Sequence, residues 1–305
     1  METPLVSICS LTYNHAPFIR QCLDGFLMQQ CNFPIEIIIN DDCSTDGTTE
    51  IIREYAEKYP DEIFPIFHEE NLYSQGIRGF EQQFVFPKAR GKYIALCEGD
   101  DYWTDPLKLQ KQVDFLESHP DYSMCFHGAL EIKEDGMSIE SAHFDNLEER
   151  EYAREEIIKH WLVPTASALF RQDVLAHIPQ NKRFTVGDNV VFITCSYHGK
   201  LYGMKENMCV YRRQSGGWSA QSTLKRKEQL IRHWLAVKES FPCDIHACIN
   251  EIVAYRYMDC IWIRCREKEF SLALKCIYGA SRHCFTQFYF IVCRMLFYQI
   301  KNLFH

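Results

Sequence analysis

Three carboxylates stand close together in residues 92–106, and their spacing could hold a metal ion. Glu98, Asp100 and Asp101 directly follow a short apolar run that predicts a buried strand. Carboxylates crowded at the end of a buried strand repel one another and lose hydration, so they need a compensating cation. A hard divalent ion that keeps some of its waters and bridges substrate phosphates suits such ligands. The alternative is a solvated acidic turn that only caps the helix predicted to start at Asp105 and Pro106.

Strands and helices alternate through the first hundred residues. Four short apolar runs predict buried strands, at residues 5–11, 35–39, 63–67 and 93–97. Three segments between them have the helical spacing of apolar residues, at residues 16–30, 46–59 and 80–89. This alternation predicts an α/β fold with a mostly parallel central sheet that helices cover on both faces.

A polar cluster follows each of three predicted strands, at residues 12–14 (Thr-Tyr-Asn), 41–42 (Asp-Asp) and 98–101. In such sheets ligands bind at the carboxyl ends of the strands, so the three clusters are predicted to line one site. Neither GxGxxG after the first strand nor GxxxxGK followed by Ser or Thr occurs. An ordinary dinucleotide-binding fold and a P-loop are therefore disfavoured.

The composition indicates which binding partners and which cellular compartment to expect. A net charge of −8 over 305 residues argues against nucleic acid as a partner, because a phosphate backbone requires a basic face. The 15 cysteines are scattered without a Cys-x-x-Cys pair, so we expect buried free thiols rather than disulfides or zinc ligands. The N-terminal residues also lack the charged and apolar regions of a signal peptide. We therefore expect a cytoplasmic protein.

The pattern changes in the second half of the chain. The apolar spacing predicts a strand at residues 165–170, a helix at 190–197 directly after Gly187 and Asp188, and a hairpin over 201–211. From residue 223 onward the spacing is helical. We therefore predict a catalytic domain over residues 1–220 and a helical C-terminal extension over residues 221–305.

Five segments in order resemble the motifs of the family 2 glycosyltransferases. They are VSICSLTYNHAPFI, IIINDDCSTDGT, GKYIALCEGDDYWTDPLKLQKQ, VGDN and YRRQSGGWS, and they span about residues 5–219 with appropriate gaps. The resemblance implies the GT-A fold of nucleotide-diphospho-sugar transferases and an inverting reaction. It places the nucleotide-sugar half of the domain at about residues 1–105 and the acceptor half at about residues 106–220.

The resemblance assigns nucleotide-sugar binding to residues of the first two clusters. Asp42 corresponds to the aspartate that accepts the N3–H of the base, and an ionised carboxylate is a good acceptor for that donor. Thr12, Tyr13 and Asn14 stand where the turn after the first strand lines the base and the ribose. Arg212, in a basic loop before the C-terminal helices, would clamp the diphosphate. The alternative for this arginine is a solvated surface position.

The acidic cluster corresponds to the metal site of that family. Asp100 and Asp101 match its acidic pair, which binds the donor and a divalent ion, Mn²⁺ or Mg²⁺, with Asp101 as the direct ligand. One position departs from the family pattern, because Gln214 stands where many relatives carry a histidine in a YRxH sequence. Glutamine is a poor ligand for divalent metals compared with histidine, so Gln214 is left out of the predicted metal site.

Asp188 aligns with the general base of the family. It would take the proton of an acceptor hydroxyl while that oxygen attacks the anomeric carbon opposite the phosphate, which inverts the configuration. The alternative is that Asp188 is only the N-cap of the helix after it, a position that would lower its pKa.

The C-terminal segment lies outside the resemblance. Residues 285–304, FTQFYFIVCRMLFYQIKNLF, are aromatic and apolar but are interrupted by Arg294, Gln299 and Lys301, so they do not predict a transmembrane helix. Three alternatives stay open for this segment: packing on the catalytic domain, contact with a second subunit, and peripheral contact with the inner face of the cell membrane.

The sequence thus predicts a metal-dependent inverting glycosyltransferase. Its donor would be a UDP-linked sugar and its acceptor a glycan or lipid-linked hydroxyl in surface polysaccharide synthesis. The alternatives are a nucleotidyltransferase or phosphohydrolase with the same acidic site, and a non-catalytic nucleotide-sugar-binding relative. A phosphohydrolase needs aspartates one residue apart after the first strand, whereas Asp41 and Asp42 are adjacent and follow the second.

Overall fold

The chain divides into two compact units. The computed structural model describes residues 2–139, 143–144, 147–214 and 223–303, with residues 287 and 290–303 described in their backbone only. The first unit is formed by Met1–Ile178 and Gly187–Ser219, and the second by Pro179–Val186 and Ala220–His305. The second unit therefore includes a short segment from the middle of the chain, which the sequence pattern does not reveal.

The N-terminal half of the first unit is a parallel sheet with helices between its strands. The elements are β1 (Val6–Thr12), α1 (Ile19–Leu27), β2 (Ile35–Asp41), α2 (Thr48–Lys58), β3 (Ile63–Phe67) and β4 (Tyr93–Leu96). The strand order is β3-β2-β1-β4, and all three pairings are parallel. Strands β1, β2 and β4 are buried along nearly their whole length, which explains why they are apolar runs in the sequence. The carboxyl ends of these three strands lie side by side.

The sheet continues into the second half with strands of mixed direction. These elements are β5 (Tyr102–Trp103), α3 (Lys108–Ser118), β6 (Tyr122–Lys133), β7 (Arg150–Tyr152), α4 (Arg154–Lys159), β8 (Leu169–Arg171), α5 (Gly187–His198) and β9 (Lys200–Arg213). Strand β8 pairs antiparallel with β4 and β6, β9 pairs parallel with β6, and β5 and β7 pair antiparallel with β9. The predicted α/β fold is confirmed, and its parallel part is concentrated in the first half.

The hairpin predicted over residues 201–211 is wrong. These residues belong to one strand, β9, whose pairing with β6 shifts register near His127 and Gly128. Lys205 and Glu206 separate two apolar runs and suggested a turn, but they are exposed within a continuous strand. Because register shifts let a long strand carry exposed polar residues in its middle, polarity alone did not mark a turn here.

The helix predicted at residues 80–89 is replaced by two less common turns. Glu81–Val85 forms a π-helix and Phe86–Lys88 forms a 3₁₀ helix. Pro87, within the second turn, has no N–H with which to continue a regular helix. A π-turn is rare and occurs frequently at functional sites, so the side chain that begins it, Glu81, is a candidate for a role in the site.

The second unit is helical. It contains α6 (Leu224–Ser240), α7 (His246–Arg266) and α8 (Phe270–Leu303), with a kink in α8 at Cys284. The predicted C-terminal helices are therefore present. Across the part of the chain that the structure describes, no helix combines the length and the apolar character needed to cross a membrane.

Candidate active site

The acidic turn after β4 is built around a buried aspartate. Asp101 is only 1% exposed, and its Oδ1 accepts a hydrogen bond of 2.8 Å from the backbone N–H of Arg212 on β9. Its Oδ2 is buried and has no hydrogen-bond partner among the described residues. Because an unpaired buried carboxylate oxygen costs free energy, this atom is suited to a ligand from outside the chain.

Electrostatic repulsion accompanies this burial. The pKa of Asp101 is raised well above its usual value, first because burial disfavours the charged carboxylate and second because Asp100 is adjacent. Burial also raises the pKa of Glu98 well above its usual value, with further contributions from the charges of Glu81, Asp100, Asp188 and Asp101. The carboxylates of this turn are therefore crowded, and a bound cation would relieve their repulsion.

The end of strand β9 and the residue after it, Gln214, hold Asp100 in place. The Oδ2 atom of Asp100 accepts a hydrogen bond of 2.6 Å from Nε2 of Gln214, and its backbone carbonyl accepts one of 3.0 Å from Nε of Arg212. The Arg212 guanidinium also donates to Oε1 of Gln21 at 3.0 Å and lies 4.4 Å from the ring centroid of Phe18. Arg212 and Gln214 thus support the acidic turn, and the Gln214 side-chain amide donates its hydrogen bond to Asp100.

The residues of this turn fit a divalent cation in their chemistry. Asp101 offers an unshared carboxylate oxygen and Asp100 a second carboxylate, and hard cations prefer such oxygen ligands. Among the residues described, no group of three or more His, Cys, Asp or Glu side chains is arranged to hold a metal ion. A cation bound here would therefore complete its coordination with water and donor phosphates, as Mg²⁺ commonly does.

Asp42, just after β2, is in a contrasting environment. It is 5% exposed, and its two carboxylate oxygens accept backbone hydrogen bonds from Leu72 at 2.8 Å and from Tyr73 at 3.0 Å. Its neighbour Asp41 accepts bonds from the backbone and the hydroxyl of Ser44. The two backbone bonds from Leu72 and Tyr73 fix the position of the Asp42 carboxylate. Each oxygen keeps a second lone pair, so Asp42 can also accept a donor from a bound base.

The turn after β1 is tied to the turn after β2. Asn14 has a left-handed backbone with φ of 54°, and its Oδ1 accepts a hydrogen bond of 2.8 Å from the N–H of Thr45. The Asn14 N–H donates to Oγ of Ser44 at 2.9 Å. The Asn14 side chain thus shapes the site, whereas its neighbour Tyr13 exposes 44% of its surface at the same turn.

Thr12 packs against the acidic turn. Its Oγ1 lies 3.1 Å from Nδ1 of His15, and a Cβ added to Gly99 would lie only 2.7 Å from that oxygen. The missing side chain of Gly99 therefore lets the turn between Glu98 and Asp100 approach β1 closely. This contact brings the first and third predicted clusters together, along with His15, which the sequence analysis did not single out.

Asp188 lies in the first turn of α5. Its Oδ2 accepts a hydrogen bond of 2.9 Å from the hydroxyl of Thr165, and its Oδ1 accepts one of 2.7 Å from the N–H of Asn189. The pKa of Asp188 is nevertheless raised, because burial of the charged form outweighs these two bonds. The lowered pKa expected for a purely capping aspartate is not found. A carboxylate with a raised pKa is a stronger proton acceptor.

Glu81 is an acidic residue of the site that the sequence analysis missed. Its two carboxylate oxygens lie 3.1 and 3.2 Å from the point where a Cβ on Gly187 would stand. Gly187 directly precedes Asp188, so the absence of a side chain there makes room for the Glu81 carboxyl group. Burial, with a contribution from the charge of Asp188, raises the pKa of Glu81 to about 7. No sequence signal links positions 81 and 187, because only the packing of the two segments brings them together.

Comparison with known proteins decides the family. The model of glycosyl transferase family 2 matches residues 7–178, which is more than half of the chain. The chain belongs to that family. An uncharacterised protein of Mycobacterium tuberculosis is 40% identical over 227 residues. The match covers 73% of this chain and 63% of that relative, so the chain spans less than two-thirds of the relative's length. TuaG of Bacillus subtilis, named as a teichuronic acid biosynthesis glycosyltransferase, is 28% identical over 210 residues, covering 68% of this chain and 79% of TuaG.

Solved structures share the fold of this glycosyltransferase. TarS from S. aureus, in complex with UDP-GlcNAc, has a TM-score of 0.60 at 18% identity and covers 82% of this chain and 71% of its own. A mannosyltransferase from Pyrobaculum calidifontis, in complex with GDP-Man and Mn²⁺, also has a TM-score of 0.60 at 18% identity, covering 92% of this chain and 76% of its own. The predicted GT-A fold and the predicted membership of the family 2 glycosyltransferases are confirmed. Membership of this family counts against the nucleotidyltransferase and phosphohydrolase alternatives.

Proposed function

We infer that this glycosyltransferase transfers a sugar from a UDP-linked donor to a hydroxyl of a glycan or lipid-linked acceptor, with inversion of the anomeric carbon. The observation that carries the proposal is the closeness of Asp188 to the acidic turn. The charge of Asp188 contributes to the raised pKa of Glu98, two residues before Asp100. A proton acceptor next to a turn that suits a metal and a diphosphate is the arrangement that a single displacement requires.

Asp188 is the general base in this proposal. Its carboxylate accepts the proton of the acceptor hydroxyl while the hydroxyl oxygen forms a bond to the anomeric carbon. The bond from that carbon to the phosphate oxygen breaks, and the nucleoside diphosphate leaves with the bonding electrons. Because attack and departure occur on opposite faces of the sugar, the configuration inverts. General-base assistance of this kind is typically worth about 10²–10⁴-fold in rate.

Asp101 and Asp100 would hold the divalent ion, Mn²⁺ or Mg²⁺. When bound, such an ion neutralises charge on a departing diphosphate. Two observations support this assignment. The buried Oδ2 of Asp101 has no hydrogen-bond partner in the part of the chain that the structure describes, and the complex of the Pyrobaculum calidifontis mannosyltransferase contains Mn²⁺. Arg212 and Gln214 support it indirectly, because they hydrogen-bond to the backbone and the side chain of Asp100.

Asp42 and two tyrosines are proposed to bind the uracil base. Two backbone N–H groups fix the Asp42 carboxylate, and its remaining lone pairs suit the N3–H of uracil. Tyr13 and Tyr73 each expose 44% of their surface in the segments around this carboxylate, and aromatic faces stack well on a base. Thr12 and Asn14 shape the turn that would line the ribose.

The proposed cellular role is supported by a relative rather than by the site. The name of TuaG, a teichuronic acid biosynthesis glycosyltransferase, supports a role in surface polysaccharide synthesis. Nucleotide-sugar donors are cytoplasmic metabolites, so the proposal places this enzyme in the cytoplasm, at the inner face of the membrane where a lipid-linked acceptor would stand.

The substitution Asp188→Asn tests the base. Asparagine has the shape of aspartate but cannot accept the proton, so we expect kcat to fall by about 10²–10⁴-fold. UDP release from UDP-GlcNAc, UDP-glucose and UDP-galactose, with water or free sugars as acceptors, measures this rate. Asp61→Asn, at an exposed carboxylate, is the matched control and should leave the rate unchanged. Unchanged activity in Asp188→Asn would contradict the base assignment.

Thermal stabilisation tests the donor class separately. UDP at about 100 times its dissociation constant should stabilise the folded chain by about 2.7 kcal/mol, and GDP and TDP should stabilise it less. The rise in melting temperature should be the same in Asp188→Asn as in the unaltered chain, because the base does not contact the nucleotide. If neither UDP, GDP nor TDP raises the melting temperature in the presence of Mn²⁺, the proposed donor class is wrong.

A further inference from the structure

The last helix, α8, is apolar on two sides. One side packs inward, as the burial of four residues shows: Ala273, Ala280, Cys284 and Phe288. The outward side is apolar as well, and five of its residues are each 62–68% exposed: Phe270, Leu274, Tyr278, Phe285 and Tyr289. A helix on the surface of a globular protein normally turns polar residues outward, so this second apolar side needs an explanation.

These five exposed residues, which we call the aromatic stripe, lie on both sides of the kink at Cys284. Phe270, Leu274 and Tyr278 are four positions apart before the kink, and Phe285 and Tyr289 are four positions apart after it, a spacing that keeps side chains on one face within each helical segment. The rings of Phe285 and Tyr289 stack with their centroids 6.4 Å apart. Single exposed apolar residues are ordinary on protein surfaces, whereas a contiguous apolar patch marks an interaction site.

The charges of α8 favour an anionic partner. From Phe270 to Leu303 the sequence contains Lys275, Arg282, Arg294 and Lys301 but no aspartate or glutamate, although the whole chain has a net charge of −8. Lys275 and Arg282 are exposed and stand three positions before and four after Tyr278, so both lie beside the stripe. Two copies joined through this face would bring their cations together, which disfavours self-association.

We propose that the aromatic stripe and its flanking cations bind the surface of an anionic lipid bilayer, with α8 lying in the plane of the interface. The apolar side chains insert among the lipid headgroups, while Lys275 and Arg282 contact the anionic phosphates. Binding of this kind needs neither donor nor acceptor. The proposal therefore stands or fails separately from the proposed transfer reaction.

Co-sedimentation of the full chain with lipid vesicles tests the proposal. We expect binding to phosphatidylcholine vesicles that contain about one-third phosphatidylglycerol, and at least about tenfold weaker binding to pure phosphatidylcholine. The double substitution Lys275→Glu with Arg282→Glu should weaken binding at least about tenfold, because each basic residue at an anionic surface is worth roughly fivefold. Phe285→Ser with Tyr289→Ser should weaken it to a similar extent. Circular dichroism and the melting temperature check that these exposed changes leave the fold intact.

Two control variants separate the helix from general effects. Lys58→Glu with Lys88→Glu makes the same change in net charge at exposed lysines of the first unit, and Leu107→Ser removes an apolar residue that is 42% exposed there. Both controls should bind vesicles as the unaltered chain does. Equal binding to the two vesicle types, or full binding by the α8 variants, would overturn the proposal. The proposal would also be overturned if the chain did not bind vesicles and light scattering showed a dimer that the aromatic substitutions abolish. The aromatic stripe would then bind a second copy of the chain.

Discussion

The turns after β2 and β4 each carry a buried aspartate, but the two carboxylates differ in their hydrogen bonding. Asp42 and Asp101 follow strands that flank β1 on either side, and they are 5% and 1% exposed. Both oxygens of Asp42 accept backbone N–H groups, whereas among the residues that the structure describes only Oδ1 of Asp101 has a hydrogen-bond partner. The adjacent charge of Asp100 also contributes to the raised pKa of Asp101. The described residues therefore satisfy the first carboxylate and leave one oxygen of the second without a partner.

This difference separates two ways of building a binding site. A carboxylate that backbone groups already fix is rigid, so it can recognise a ligand without reorganising. A crowded carboxylate with an unpaired oxygen destabilises the free protein, and a ligand that pairs with it recovers that free energy. We therefore expect substitutions at the two turns to have opposite effects on the stability of the ligand-free protein.

Asp101→Asn should have the largest effect. The neutral amide still accepts the Arg212 N–H but no longer offers a charged oxygen to a cation, so we expect kcat/KM to fall by about 10³-fold. The extra stabilisation that Mn²⁺ gives to the UDP complex should disappear as well. The melting temperature of the ligand-free protein should rise, because a buried charge beside Asp100 is removed. Melting curves with and without Mn²⁺, run beside Asp61→Asn, measure both effects, and a destabilised variant that still responds to Mn²⁺ would refute the contrast.

Asp42→Asn should act in the opposite direction. An asparagine amide would turn its own N–H₂ toward either the Leu72 or the Tyr73 N–H, which leaves one donor unpaired. We expect the free energy of unfolding to fall by about 1.5–3 kcal/mol and the affinity for UDP to fall with it. Urea unfolding and UDP titration of the variant, with Asp61→Asn as the exposed control, provide the check. Unchanged stability would show that the hydrogen bonds at Asp42 contribute little.

Glu81→Gln should have the smallest effect and one that depends on pH. Below pH 4.5 Glu81 is protonated in both the folded and the unfolded chain, and between pH 4.5 and about 7 only the unfolded chain releases the proton. The free energy of unfolding should therefore fall as the pH rises through this window and then level off. Because Glu81 is partly exposed, we expect a total fall of about 2 kcal/mol. A glutamine at this position carries no such charge, so the variant should gain that stability at pH 8 and none at pH 4.5.

Urea unfolding at the two pH values measures this gain. Glu57→Gln, at an exposed carboxylate on α2, is the control and should change stability equally at both values. The result also sharpens the contrast between the turns, because the charge of Glu81 contributes to the raised pKa of Glu98. A gain of the same size at pH 4.5 and pH 8 would mean that the Glu81 charge is not the cause.

Much of the site could be predicted from local pattern. Buried parallel strands have a strong sequence signal, and the polar residues after them must meet at one edge of the sheet, so the positions of Thr12, Asp42 and Asp101 could be expected. The register of β9 could not, because its exposed Lys205 and Glu206 resemble a turn when their pairing with β6 is unknown.

The sequence by itself determined the fold class, the family and the identity of the carboxylates, because strand periodicity and short motifs are local properties of the chain. Only the tertiary structure decided which carboxylates are satisfied. The partners of Asp42 lie about thirty positions away, and the N–H that meets Asp101 lies more than a hundred positions away. Glu81 and Gly187, the glycine beside Asp188, are likewise distant in the sequence and meet only in the folded chain. Hydrogen bonds, burial and pKa depend on such distant neighbours, so the electrostatic character of the site appears only when the chain is folded.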